Sequence, residues 1–327
     1  MRAPFKNLGL CFSLALLTAC AGLSTHLPDI AAPDLNAEKA AQAELALTAY
    51  HQQTKDLLRI GYPILRENAD LCPKTRPDIG ILTHNRKDYD KRLQAASVMV
   101  LGALDQKSIF QIAPDSPAAQ AGLKAGDVIL DAEDTDIGPY DKVFKAGLVA
   151  GRQTELRIRR DGEILTKYVT ATEVCDYRLR LKQSSAINAY ADGQHITVTS
   201  GMMDFVKTED ELALIIGHEL AHNTLAHIRK ILSNYIMTLG ATRYTRPFES
   251  EADYVGLYYQ VRAGYSPDGV ESFWRRLAKV NPKSVGRAKT HPTFPDRYLR
   301  LAAARAEIQA KQARGDLLVP NFKSADK

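Results

Sequence analysis

Apolar residues recur at helical spacing through residues 38–70 (Leu45, Leu47, Tyr50, Leu57, Leu58), in a segment otherwise rich in Ala, Glu and Gln, and predict a long helix. A polar, Pro-containing stretch, 73–92, follows. From 95 to 172 the texture changes to short apolar runs broken by Gly. Within it, 154–160 and 164–170 alternate around Asp161-Gly162, the pattern of a β-hairpin. Beyond 173 helical spacing dominates again. Thr208-Glu-Asp-Glu211 is a capping box opening a strongly apolar helix expected to reach about Leu232. A second helix opens near Phe248, and a charged one covers 296–315. The expected fold class is α+β: a mainly helical domain with a small edge sheet, interrupted by a β-rich domain over 95–172.

The first 37 residues read differently. Arg2 and Lys6 precede the apolar stretch 8–17 and then small residues, the order of a secretory signal over 1–19. Leu17-Thr18-Ala19-Cys20 resembles the lipobox of bacterial lipoproteins, in which the Cys is acylated and becomes the first residue of the mature chain. An ordinary signal with a chance Cys is the alternative. By the same resemblance, Ala21 in place of Asp implies the outer membrane. The expectation is a chain held on the periplasmic side of the cell envelope by acylated Cys20, with 20–37 as a tether. Acyl chains supply about 0.8 kcal/mol per buried CH₂, so a multiply acylated Cys20 anchors firmly.

Composition narrows the partners. Hydrophobic residues make up 45% and charged residues 25%, the profile of a globular protein. Loss of 1–19 removes Arg2 and Lys6 and lowers the net charge from +5 to +3. That mild basicity is spread along the chain, which argues against a nucleic-acid partner. No apolar run approaches the roughly 18 residues of a membrane-spanning helix. Of the four Cys, Cys11 falls in the signal and Cys20 is the lipid site. Cys72 and Cys175 remain, an even pair in an oxidising compartment, and are expected to bond; two buried thiols are the alternative. They flank 95–172, so a bond would clip that module at its neck. The other domain is then discontinuous, 38–94 plus 173–316, with 317–327 as a tail.

The chemistry centres on His218-Glu219-Leu220-Ala221-His222. Residues i and i+4 lie about 40° apart on a helix, so both imidazoles leave one face, close enough to share an ion. Glu219 sits among Leu212, Leu214, Ile215 and Ile216, and a buried carboxylate with no task is costly. A catalytic zinc needs a third protein ligand and an open position. His227, nine residues from His218, falls on the opposite helical face and reads as a solvent or packing residue. In Phe248-Glu-Ser-Glu-Ala-Asp253, Glu249 and Asp253 share a face while Glu251 points about 160° away. Glu249 is therefore expected as the third ligand and Asp253 as an acceptor orienting a ligand His. Glu251 reads as a surface residue or salt-bridge partner.

Two resemblances complete the reading. Ser116-Pro-Ala-Ala-Gln-Ala-Gly-Leu-Lys-Ala-Gly-Asp127 resembles the PDZ domains of bacterial proteases, which implies a module that takes up an extended peptide as an added strand. Leu101-Gly-Ala-Leu104 would then be its carboxylate-binding loop; a mere spacer is the alternative. The region 173–300 resembles the gluzincin peptidases of the HtpX, BepA and CaaX-prenyl-protease group. The resemblance rests on H-E-x-x-H, E-x-x-A-D, Asn188-Ala-Tyr190, Arg262-Ala-Gly-Tyr265 and Thr290-His-Pro292 with Arg297 beyond. It implies a zincin-type fold binding one Zn²⁺ per chain through His218, His222 and Glu249, with Glu219 moving the proton of the attacking water. His291 and Arg297 fall where the family places groups near the cleft, as oxyanion stabilisers. A structural His-Pro turn or an inhibitory fourth ligand are the alternatives for His291, and an ion-pair partner for Arg297. The stretch 194–199 resembles the strand that borders a zincin cleft and offers a free edge to substrate, with Asn188 and Ala189 nearby and His195 an exposed strand residue. The implied activity is cleavage of unfolded envelope proteins; a peptide-binding chaperone or scaffold with a latent metal site is the alternative.

Overall fold

A computed structural model describes residues 27–130, 147–237, 246–286 and 293–321. Cys20 and His291 lie outside the described residues. The chain divides into two units, 1–39 and 40–327. In the first, helix α1 (Ala32–Glu67) begins inside the stretch read as a tether, fully exposed, with Asp34 in its first turn where the helix dipole favours an acid.

In the second unit α1 becomes a core element. Leu47, Leu57, Leu58, Ile60, Ile64 and Leu65 are buried along it. Strand β1 (Thr75–Asp78) follows and pairs antiparallel with β7 (Thr172–Cys175). Cys72 and Cys175 are disulfide-bonded beside this pair, with Cα atoms 5.5 Å apart. Everything between is an insertion entered and left through one two-stranded neck.

The insertion begins earlier in the chain than 95. Strand β2 (Ile81–His84) lies in the stretch read as a polar connection, yet it pairs with β3 (Ser108–Ile112) around a bulge at Leu82/Thr83. Four residues with two polar members leave too little alternation to reveal it. Between them α2 (Gln94–Leu101) ends on Gly102, whose φ of 62° makes the left-handed stop that glycine tolerates. This corrects the reading of 101–104 as a carboxylate-binding loop. The Gly102 and Ala103 N–H groups donate to Val98 and Ser97 of α2, so they cap a helix and are not free to hold a carboxylate. After β3 come α3 (Pro117–Gln120), capped by the Ser116 side chain, and β4 (Val128–Leu130). A three-stranded antiparallel sheet then runs β4, β5 (Gln153–Arg160), β6 (Glu163–Thr170), its hairpin turning at Asp161-Gly162 as expected. Ile79, Ile81, Ile109, Ile129, Ile158 and Val169 make a separate small core here.

The larger core belongs to the helices and one sheet. Strand β8 (Arg178–Lys182) precedes β9 (Ala189–Ala191) and β10 (His195–Thr199). β10 is central, parallel to β8 and antiparallel to β9. The expectation that 194–199 offers a free edge is thereby corrected: both its edges are paired, and β8 and β9 are the outer strands of this sheet. Helices α4 (Ser200–Phe205), α5 (Glu209–Thr224), α6 (His227–Met237), α7 (Arg246–Arg262), α8 (Glu271–Val280), α9 (Lys283–Gly286) and α10 (Phe294–Arg314) complete the unit.

Helices α5 and α7 touch backbone to backbone. A Cβ on Gly217 would sit 2.5 Å from the Gly256 carbonyl oxygen, and one on Gly256 would sit 2.6 Å from the His218 nitrogen. Only a glycine pair permits this approach. It sets the distance between the face bearing His218 and the face bearing Asp253. Helix α5 ends at Thr224, short of the expected Leu232, because Ala226 takes a left-handed φ of 54° and reverses the chain. Asn223 fastens that end: its side chain accepts from Gly193 N–H and donates to the His195 carbonyl, in the β9–β10 turn.

Candidate metal centre

Thr208 caps α5, its hydroxyl accepting from Glu211 N–H, and the buried Glu211 is held in turn by an ion pair with the half-buried Arg276. From Glu211 to Asn223 the helix is buried on every side, so His218, Glu219 and His222 are all inside the protein. Across the glycine contact, α7 brings in Glu249 from its first turn, also buried.

Donor atoms converge on one point. The Nε2 atoms of His218 and His222 are 3.1 Å apart. Glu249 Oε2 is 3.5 Å from the first, and Glu249 Oε1 is 3.5 Å from the second. A tetrahedral zinc with ligand bonds of about 2.0–2.1 Å separates its donors by about 3.3 Å. The residues present therefore fit such an ion. Among the described residues these three form the group of His, Cys and acidic side chains whose donor atoms all lie within 4.8 Å of one another. Two neutral imidazoles and a carboxylate suit zinc better than a hard alkaline-earth ion.

Charges are steered around this point. Burial works against ionisation of Glu249, but hydrogen bonds from the two imidazoles override it and hold its carboxyl far below the usual range. Burial likewise opposes protonation of His218, yet Asp253 and Glu249 raise its pKa to about 10. For Glu219 burial prevails: it pushes the carboxyl upward against the opposing pull of His218, His222 and Arg297.

The outer nitrogens of both imidazoles are occupied. His218 Nδ1 lies 3.0 Å from Asp253 Oδ1. Asp253 receives the Arg297 guanidinium in a fork, Nε to Oδ2 at 2.7 Å and Nη2 to Oδ1 at 2.6 Å. Arg297 is buried and stacked 3.7 Å over the Trp274 ring. Arg297 is thus the ion-pair partner of Asp253 that the sequence offered as its second reading, and it also lines the cleft over the site. His222 Nδ1 lies 3.1 Å from Nδ1 of His227, whose Nε2 is 3.0 Å from Glu251 Oε2. His227 is thus neither solvent-facing nor on the far side of α5, because the helix breaks before it. Burial lowers its pKa to about 4. No Gly or Pro announces the break at Ala226, which is why the sequence reading missed the contact of His227 with His222; Glu251 is the salt-bridge partner it was expected to be.

A cleft of about 780 Å³ opens over the site. It is lined by His218, Glu219, Glu249, the edge residues Asn188 and Ala189, and apolar groups led by Phe273 and Trp274. His195 stays away from it, its Nδ1 bonded to Asp192 at 2.8 Å.

A family model described as peptidase family M48 matches residues 153–241, and one described as a PDZ domain matches 109–160. The chain carries an M48 metallopeptidase domain together with a PDZ domain. The M48 match contains His218, Glu219 and His222 and ends before Glu249, which the fold supplies from α7. Among curated proteins, the chain is similar to the mitochondrial metalloendopeptidase OMA1 of Schizosaccharomyces pombe, 25% identical over 47% of this chain and 54% of that protein. It is also similar to OMA1 of Arabidopsis thaliana, 29% identical over 35% of this chain and 28% of the relative. The beta-barrel assembly-enhancing protease of Yersinia pestis is 24% identical over 40% of the chain and 34% of the relative. The chain thus spans about half the length of these relatives or less. Among the described residues, no helix is long and apolar enough to cross a membrane.

Proposed function

We propose that this chain is a zinc-dependent endopeptidase of the bacterial cell envelope that cuts unfolded or misassembled envelope proteins, its PDZ domain binding or gating them. The observation that carries the reading is the convergence of His218, His222 and Glu249 beside a cleft lined by His218, Glu249, Glu219 and the start of the outer strand β9. A Zn²⁺ bound there supplies a Lewis acid for the scissile carbonyl and makes water more acidic. The protein does the rest. An extended substrate adds to the edge of β9 near Asn188 and Ala189, backbone to backbone, which gives loose sequence preference. Glu219, with a carboxyl raised by burial, takes the proton of the attacking water and hands it to the leaving amine nitrogen. Asp253 and Arg297 keep His218 aimed. Lipidation at Cys20 and an outer-membrane address belong to the same proposal, as does a role for His291 at the oxyanion.

Zinc analysis of the purified full chain, paired with digestion of denatured casein with and without a chelator, tests the reading. The expected result is about one zinc per chain and cleavage abolished by the chelator. Zinc-loaded protein that holds unfolded chains without turnover replaces the enzyme with the scaffold reading, and protein that takes up no zinc removes both.

A further inference from the structure

His227 has no part in the reaction just described, yet few side chains in the molecule are held as completely. It is fully buried at 0% exposure, and both ring nitrogens have partners. The reversal at Ala226 makes it the first residue of α6 and swings it back against the outer side of His222. The Phe248 ring closes its flank with centroids 5.0 Å apart.

The distances dictate where the protons sit. Nε2 of His222 faces Glu249 and His218, so a metal there requires that nitrogen to present its lone pair. The His222 proton is then on Nδ1 and is donated to Nδ1 of His227. The His227 proton is in turn on Nε2 and is donated to Glu251 Oε2. Each atom in the line has one role, and the line ends on a carboxylate whose side chain is 41% exposed. We infer that His227 and Glu251 are positioning residues that fix the tautomer and ring angle of His222 for the metal, an inference that rests on the reading of the site as a zinc centre. Glu251 comes from the same helix turn as Glu249 but leaves it on another side. One turn of α7 therefore serves both as ligand to the ion and as support for the opposing imidazole. His218 receives the equivalent support from Asp253 and Arg297.

The test is the dissociation constant for zinc of the full-length chain, measured by competition with a chelator of known affinity. Wild type is compared with Glu251→Ala, Glu251→Gln, His227→Asn and the double variant Glu251→Ala/His227→Asn. Glu251→Ala alters a half-exposed side chain and leaves the core intact. Zinc binding is expected to weaken about tenfold in Glu251→Ala and by as much or more in His227→Asn. The double variant is expected to bind no more weakly than His227→Asn alone, since both act along one line. Glu251→Gln, whose amide oxygen still accepts from His227, is expected to return to within a few-fold of wild type. A residue that merely fills space changes the melting temperature of the metal-free protein and leaves the zinc constant alone. Zinc constants in Glu251→Ala and His227→Asn equal to that of a zinc-binding wild type overturn the inference. A wild type that binds no zinc is a different result, and it removes the proposed function itself.

Discussion

The two cores of this molecule are built on opposite terms. In the PDZ half the apolar cluster is made of Ile, Leu, Val and Ala. Its buried carboxylate, Asp127, sits at a turn, where it is forked by Arg160 and accepts from the Lys124 N–H. In the peptidase half, His218, Glu219, His222, Glu249, Asp253 and Arg297 are all buried within two packed helices and the start of a third. Taking such groups out of water is expensive unless each is paired. Most are paired with one another, and Glu219 is the member for which the cost of burial outweighs the pull of the neighbouring cations. The contrast teaches that one interior was shaped for cohesion and the other for a task that cohesion must support.

The sharpest way to break the comparison is at Glu219. Glu219→Gln keeps shape and removes the charge. Casein cleavage is expected to fall by about 10²–10⁴-fold, the range for a lost general base. Thermal stability is expected to hold or rise, because a buried charge has gone. Equal cleavage by variant and wild type would mean that the buried charge has some other purpose.

The next effect is expected at the glycine contact. Gly256→Ala places a methyl group 2.6 Å from the His218 backbone nitrogen, and backbone cannot step aside. Overpacking of this kind costs about 1–3 kcal/mol, read as a drop in denaturant midpoint. Zinc affinity should fall with it, since α5 and α7 move apart. Loss of stability with unchanged affinity would show that the ligand spacing does not depend on the glycines.

The smallest effect belongs to the apolar half. His84 on β2 is buried, bonded through Nδ1 to the Tyr89 hydroxyl at 2.6 Å and stacked on Phe110. Burial lowers its pKa to about 4, against about 6.5 in the unfolded chain. The unfolded state therefore binds the extra proton, and stability is lost as pH falls from about 6.5 to about 4. After allowance for solvent screening the loss is about 1 kcal/mol. Urea melts across this window, with His84→Gln as the flattened control, check it.

Much of the site could be read from spacing because a helix converts sequence intervals into angles. His218 and His222, like Glu249 and Asp253, are four apart, and each pair does share a face. The PDZ match, the hairpin at Asp161-Gly162 and the Cys72–Cys175 pair were also legible, each carrying a local signature. What escaped was tertiary. Whether a strand is central or at an edge depends on what lies beside it, so the residues of β10 could not reveal that both sides are filled. Arg297 lies 44 residues from Asp253, and nothing in either neighbourhood names the other as partner. Continuation of a helix past Leu225 is the natural expectation from an apolar run. The stop at Ala226 is imposed from outside, by Asn223 tying the end of α5 to the sheet.

The neck of the insertion has one more implication. Because the disulfide spans the two points where the chain leaves and re-enters the peptidase body, a single cut in any loop between Cys72 and Cys175 does not release a fragment. The severed molecule migrates as one species until a reductant is added, and only then separates. The two sections of the catalytic body stay tied to each other throughout, so nicking of the module need not scatter the groups that hold the ion.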